Sequence, residues 1–149
     1  MTSLYKDIVH FMEEYFPAYS EKGQIEETHH VMDKFYAPDL VFDDGVVTSR
    51  DQWYKSCLAH PAIQDKITLE HLWVDEQQKE VGALCKTQAI DRKSGEVLLE
   101  LKMNVLYSLK IDDKKDIKIA RVRVFLESNP QKAAKLFQLY AMGSQSAPK

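Results

Sequence analysis

Apolar residues recur at helical spacing in the first third of the chain and at alternate positions in most of the rest. Leu4, Ile8, Met12, Tyr15 and Tyr19 fall on one face and predict a helix from Ser3 to about Ser20. Ser3 can cap its start, and Asp7 sits near the favourable end of the helix dipole. Pro17 lacks an amide hydrogen and clashes with the preceding turn, so it predicts a kink or an end, and Gly23 marks a stop. A second helix is predicted over Gln24 to Tyr36, with Ile25, His29, Met32, Phe35 and Tyr36 inward. It ends at Ala37-Pro38, because the residue before a proline disfavours helical angles. Leu40-Val41-Phe42 then reads as a short strand. Ser49, with Gln52 three residues later, fits a capping box. It opens a third helix that carries Trp53, Tyr54, Cys57 and Leu58 and stops near His60-Pro61.

From there the period changes to two. Ile67, Leu69, His71 and Trp73 alternate with Thr68, Glu70, Leu72 and Val74, and Val81, Ala83, Cys85, Thr87 and Ala89 form the next alternating set. Asp91 to Gly95 is a turn cluster. Val97, Leu99, Leu101, Met103, Val105, Tyr107 and Leu109 give seven apolar positions at period two, the strongest strand signal in the chain. Asp112 to Asp116 turns the chain into a last strand, Ile117 to Leu126, with Ala120, Val122, Val124 and Leu126 on one face. Asn129 as cap and Pro130 at the first helical position open a final helix. Ala133, Leu136, Phe137, Tyr140 and Ala141 are its stripe, and Gly143 closes it. Helices followed by long strands joined through short turns predict an α+β fold built on an antiparallel meander. A long curved sheet with one face buried against three helices leaves a cavity where the helices splay, which is a natural ligand site. One domain is expected over residues 1–143, with 144–149 as a disordered tail.

Composition narrows the function. At 149 residues the chain can build a real core. A net charge of −3 and a pI near 5.9 argue against nucleic acid as a partner. Cys57 and Cys85 have no metal or redox spacing and lie in apolar periodic segments, so buried free thiols are expected. There is no signal-peptide pattern and no membrane-length apolar run, so a cytoplasmic location is the expectation and no membrane partner is foreseen. No phosphate loop, dinucleotide glycine motif or nucleophile elbow occurs, and no cofactor is expected. His29 and His30 are adjacent and would point about 100° apart on a helix, so they do not make a metal pair.

The order of elements and the wording of the central stretch resemble the SnoaL-like domains of the nuclear transport factor 2-like superfamily. The resemblance is carried by Phe35-Tyr36-Ala37-Pro38-Asp39, the short strand Leu40-Val41-Phe42, the acidic pair Asp43-Asp44 and the capped start Ser49-Arg50-Asp51-Gln52. It runs from about Leu4 to Glu127, so the helix after Asn129 is an addition to the common core. It implies a cone-shaped α+β barrel, in which a curved antiparallel sheet packs on three N-terminal helices. The fold hosts enzymes, binding proteins and transport adaptors alike.

The resemblance also implies site residues. Asp44 matches the aspartate that moves a proton as general base in ketosteroid isomerase-like members; as plain sequence, Asp43 and Asp44 also suit a polar turn with Gly45. His71 matches a pocket histidine of the dehydratases and would serve as acid or base, or else be a satisfied structural ring. Tyr15 or Tyr19 would donate to a substrate oxygen, and either also suits core packing. Met12, Phe35, Phe42, Trp53, Trp73, Met103 and Tyr107 are the expected pocket wall. The second acidic donor of the isomerases falls at Met103 or Asn104, neither of which is acidic, and this counts against steroid isomerase activity. Arg121 and Arg123 share a face of the last strand with Ile119 and Phe125 and are expected on the half-exposed outer side. The expected function is cofactor-independent proton transfer on a small apolar, oxygenated molecule, giving dehydration, isomerisation or cyclisation. The alternative is a non-catalytic ligand-binding or dimerisation module of the same fold. A homodimer through the open sheet face is expected in either case.

Overall fold

The computed structural model describes residues 2–42, 45–126 and 129–142. Asp43, Asp44, Gly143 and the 144–149 tail lie outside the described residues. The first helix, α1 (Ser3–Lys22), is capped by Thr2 rather than Ser3: the Thr2 hydroxyl accepts from the Tyr5 amide at 3.0 Å. Pro17 sits inside α1 without ending it. The turn beyond it is held from outside the helix. Ser20 Oγ accepts from the Ile67 amide at 2.9 Å, and Gln64 Nε2 donates to the Ser20 carbonyl at 2.6 Å. Those bonds, with the burial of Phe16 and Tyr19, offset the hydrogen bond that Pro17 cannot make. α1 stops at Gly23. A Cβ there would stand 3.0 Å from the Tyr19 carbonyl oxygen and 3.3 Å from the Met32 side chain, so any larger residue would push Met32 and the end of α1 apart.

The second helix expected over Gln24 to Tyr36 is replaced by turns and a short 3₁₀ segment, His29–Lys34. The reason lies in the spacing of the buried side chains. His29, Met32 and Phe35 are three apart, and three residues per turn puts them in one inward row.

Strand β1 (Tyr36–Phe42) is an edge strand parallel to β5 (Ile117–Leu126), with an irregular stretch between Tyr36 and Val41. Pro38 and Asp39 are exposed in that stretch, where a proline removes no ladder bond. Helix α2 (Arg50–Cys57) starts as its sequence dictates, with Ser49 Oγ accepting from the Gln52 amide at 3.1 Å. Strands β2 (Ile63–Asp75), β3 (Glu80–Asp91), β4 (Val97–Ile111) and β5 then run as an antiparallel meander, and the sheet order is β1-β5-β4-β3-β2. The result is the expected α+β fold with a curved, mostly antiparallel sheet. No helix among the described residues is long and apolar enough to cross a membrane.

Bulges in β2 and β5 decide which of their residues face inward. In β2, Leu69 pairs with Cys85 and His71 with Leu84, so Glu70 is an extra residue. Ile67 and Leu69 face the core before it, and Leu72 and Val74 after it. In β5, Ile119 pairs with Leu109 and Arg121 with Ser108, so Ala120 is extra. Ile117 and Ile119 therefore share the inner face with Val122. Arg121 is exposed and Arg123 half-buried on the outer side, as expected, with the Arg123 guanidinium 5.7 Å from the Phe125 ring centre.

Helix α3 (Pro130–Met142) is capped by Asn129, whose Oδ1 accepts from the amides of Gln131 and Lys132 at 3.0 and 3.2 Å. Its Leu136 and Leu139 pack with Ile63, Ala89 and Leu101 in a second apolar cluster, apart from the main core. This docks α3 over one end of the cavity.

Candidate functional site

A cavity of about 590 Å³ lies between the inner sheet face and the three helices. α1 supplies Tyr15 and Tyr19, β1 ends on Phe42, α2 brings Trp53 and Cys57, and α3 brings Leu136 and Tyr140. The sheet supplies Asp65, Ile67, Thr87, Met103, Val105 and Tyr107. The apolar wall follows from the period-two pattern of β4, whose Met103, Val105 and Tyr107 are buried on one face.

Tyr15 and Tyr19 stand one turn apart on α1, and both line the cavity. The hydroxyls of Tyr15 and Tyr36 share a hydrogen bond of 2.8 Å. The Tyr15 ring meets that of Tyr107 edge-on at 5.7 Å. Burial raises all three phenols above their ordinary range and keeps them protonated. Trp53 lies nearly parallel to Phe42, 4.1 Å between ring centres, and to Tyr19, at 6.4 Å.

The polar end of the cavity centres on Asp65. The Tyr19 hydroxyl donates to its Oδ2 at 2.9 Å, and the Thr87 hydroxyl donates to its Oδ1 at 2.5 Å. Its backbone is fixed by one side chain: the Asp65 amide donates to Gln24 Oε1 at 2.8 Å, and Gln24 Nε2 donates to the Asp65 carbonyl, also at 2.8 Å. Burial, and next the Asp65 charge, push both Tyr19 and Tyr140 up, so both stay neutral hydrogen-bond donors. His60 stacks on the Tyr140 ring at 4.7 Å, and its Nδ1 donates to the Ile63 carbonyl at 2.9 Å. The arrangement can hold an apolar body, donate hydrogen bonds to an oxygen, and present one carboxylate.

Of the residues expected here, Tyr15, Tyr19, Phe42, Trp53, Met103 and Tyr107 line the cavity. Met12 and Phe35 do not: they are buried in the core, where Phe35 packs on Phe11 and Tyr15. Trp73 and His71 are on the opposite side of the sheet. The bulge at Glu70 reverses the alternation, so the face shared by Ile67 and Leu69 is not shared by His71 and Trp73. His71 is exposed, its ring 4.3 Å from that of Trp73, and Trp73 is 53% exposed. Asp44 lies outside the described residues, two positions after the cavity-lining Phe42. No group of three or more metal-ligating side chains occurs among the described residues.

Asp65, Thr87, His60 and Tyr140 are additions to the expected set. A signal for Asp65 is in the sequence. It holds the inward phase between Ile63 and Ile67, but a strand begun at Ile67 leaves it out. Thr87 is likewise the polar member of an apolar alternating set. Nothing in the sequence ties Tyr140 to β2.

No protein-family model and no curated protein matches the chain. Solved structures do. PrhC from Penicillium brasilianum superimposes with a TM-score of 0.67 at 12% identity, over 96% of this chain and 95% of that one. A putative SnoaL-like polyketide cyclase from Jannaschia sp. gives 0.64 at 14% identity, over 100% and 98%. Nuclear transport factor 2 from Cryptosporidium parvum gives 0.59 at 10% identity, over 80% and 90%. At these identities the likeness establishes the fold.

Proposed function

We propose that this chain, which has the nuclear transport factor 2-like fold in the arrangement of SnoaL-like proteins, is a small-molecule enzyme. It binds a largely apolar, oxygenated compound and moves a proton on it without a cofactor, giving dehydration, isomerisation or cyclisation. One observation carries this reading: a cavity with largely apolar walls brings three hydroxyls together around the one carboxylate that lines it among the described residues, at Tyr19, Thr87, Tyr140 and Asp65. Such a distribution orients a ligand by its oxygen while burying the rest. Tyr15, with Tyr36 donating into its hydroxyl, serves as the neutral donor to that oxygen, and Tyr19 joins it by turning its proton away from Asp65. Asp44, which matches the general base of the ketosteroid isomerase-like pattern and follows the cavity-lining Phe42 by two positions in sequence, is the proposed base. His71 has no part in this proposal, since its ring is on the other face of the sheet.

The test needs no known substrate. A proton-transfer site accelerates exchange of the hydrogens beside a ketone in deuterated water. A tetralone incubated with the protein and followed by proton NMR should exchange faster than in buffer. Asp44→Asn should remove the acceleration and leave binding in place. Binding without any acceleration supports instead a ligand-binding module of the same fold, and acceleration unchanged in Asp44→Asn rejects Asp44 as the base.

A further inference from the structure

Asp65 is the only Asp, Glu, Lys or Arg among the described residues that line the cavity. Its two oxygens accept from Tyr19 and Thr87, and Tyr140 stands beside it. All three are neutral hydroxyls. No lysine, arginine or histidine forms an ion pair with it among the described residues. The hydroxyls solvate the half-buried carboxylate but do not balance its charge, and a cation seated beside it gains its attraction at short range. The surrounding side chains favour the same kind of counter-charge. Tyr19, Trp53, Phe42 and Tyr140 present aromatic rings to the same space, and aromatic faces attract cations. A purely structural hub at this position would need an acceptor but no net charge.

We propose that the cavity takes a ligand whose apolar body carries a positively charged nitrogen, an ammonium or quaternary ammonium group, seated against Asp65 among the rings of Tyr19, Trp53 and Tyr140. This rests on the cavity being the ligand site and adds the chemical class of the ligand. It also separates two duties. Asp65, held by Tyr19 and Thr87, anchors the cation, while the Tyr15 hydroxyl, paired with Tyr36, remains for an oxygen elsewhere on the molecule.

The experiment compares two probes of one shape: the trimethylammonium derivative of tyramine, and its carbon isostere, in which a tert-butyl group replaces the trimethylammonium. Both are titrated by NMR into the wild-type chain at pH 8, where a histidine of ordinary titration range is neutral and offers no internal counter-charge. The ammonium probe is expected to bind at least about tenfold more tightly than its isostere. Asp65→Asn should bring that ratio to one. Equal binding of the two by the wild type overturns the proposal while leaving the cavity as a ligand site. A preference that survives in Asp65→Asn overturns it as well, by moving the cation elsewhere. Failure of both probes to bind counts against the proposal and against the cavity reading beneath it. The wild-type comparison stands even where Asp65→Asn does not fold.

Discussion

The Tyr19 hydroxyl donates to Oδ2 of Asp65 at 2.9 Å, across 46 positions of sequence. This bond ties the last turns of α1 to the first residues of β2, and with Thr87 it reaches β3. It is both a strut of the fold and the polar end of the cavity.

Tyr19→Phe is therefore expected to destabilise the protein by about 1–3 kcal/mol, since it leaves a partly buried carboxylate oxygen without its donor. Urea denaturation checks this, with the midpoint falling and the slope unchanged. An unchanged midpoint would mean that the bond does not form in solution.

His71→Ala is expected to leave the affinity for any cavity ligand unchanged, because the ring is exposed on the far side of the sheet beside Trp73. Deleting Glu70 should do the same: without the extra residue, Ile67, Leu69, Leu72 and Val74 stay in plain alternation on the inner face and His71 and Trp73 on the outer one. Loss of ligand affinity in His71→Ala would contradict the register of β2.

The outer sheet face exposes Trp73 at 53% and Phe125 at 52%. Leu84, Leu106 and Gly82 lie between them in the paired rows Trp73-Gly82-Leu106-Arg123 and His71-Leu84-Asn104-Phe125. Trp73 packs over Gly82, where an added Cβ would touch the indole at 3.7 Å. An apolar patch of this kind supports self-association through two copies of the same surface. Sedimentation should give a dimer for the wild type and a folded monomer for Trp73→Lys. A monomeric wild type would reject the patch as a dimer face.

Alkaline pH should weaken the fold. Burial raises the thiol of Cys85 to about 12 from an ordinary 9.0, and raises Tyr15, Tyr19, Tyr36 and Tyr107 above 10.0. The folded state holds these protons longer than the unfolded chain does. The stability they contribute is complete below about pH 9 and is lost as pH rises through the folded values. Urea midpoints should agree between pH 7 and 8 and be lower at pH 10.5. By the same burial, a thiol reagent at pH 8 should label neither Cys57 nor Cys85 until the protein unfolds.

The architecture could be read largely from periodicity. The alternation of β4 from Leu99 to Leu109 and the caps at Ser49 and Asn129 are local signals that the structure follows; at the start of β4 Leu98 is an extra residue opposite β3, and Val97 is exposed instead of sharing the buried face. What could not be read were features set by partners distant in sequence. Pro17 stays helical because β2 bonds to Ser20, and the 3₁₀ segment after Gly23 puts His29, Met32 and Phe35 in one buried row. The bulges at Glu70 and Ala120 leave no mark in composition, yet one of them sends His71 and Trp73 to the opposite face. Tyr15 and Tyr19 could be placed on the inner side of α1 from spacing alone. The Asp65 cluster could not, because it is assembled from α1, β2, β3 and α3.

The chain's two tryptophans stand on opposite sides of the sheet, Trp53 in the cavity and Trp73 outside it. The most direct test of the ligand site is to follow their two indole N–H signals in ¹⁵N-labelled protein during titration with a tetralone, with Trp73→Phe giving the assignment. The account predicts that the Trp53 signal shifts and saturates while the Trp73 signal stays still. A saturating shift at Trp73 alone, or no shift at either, would contradict it.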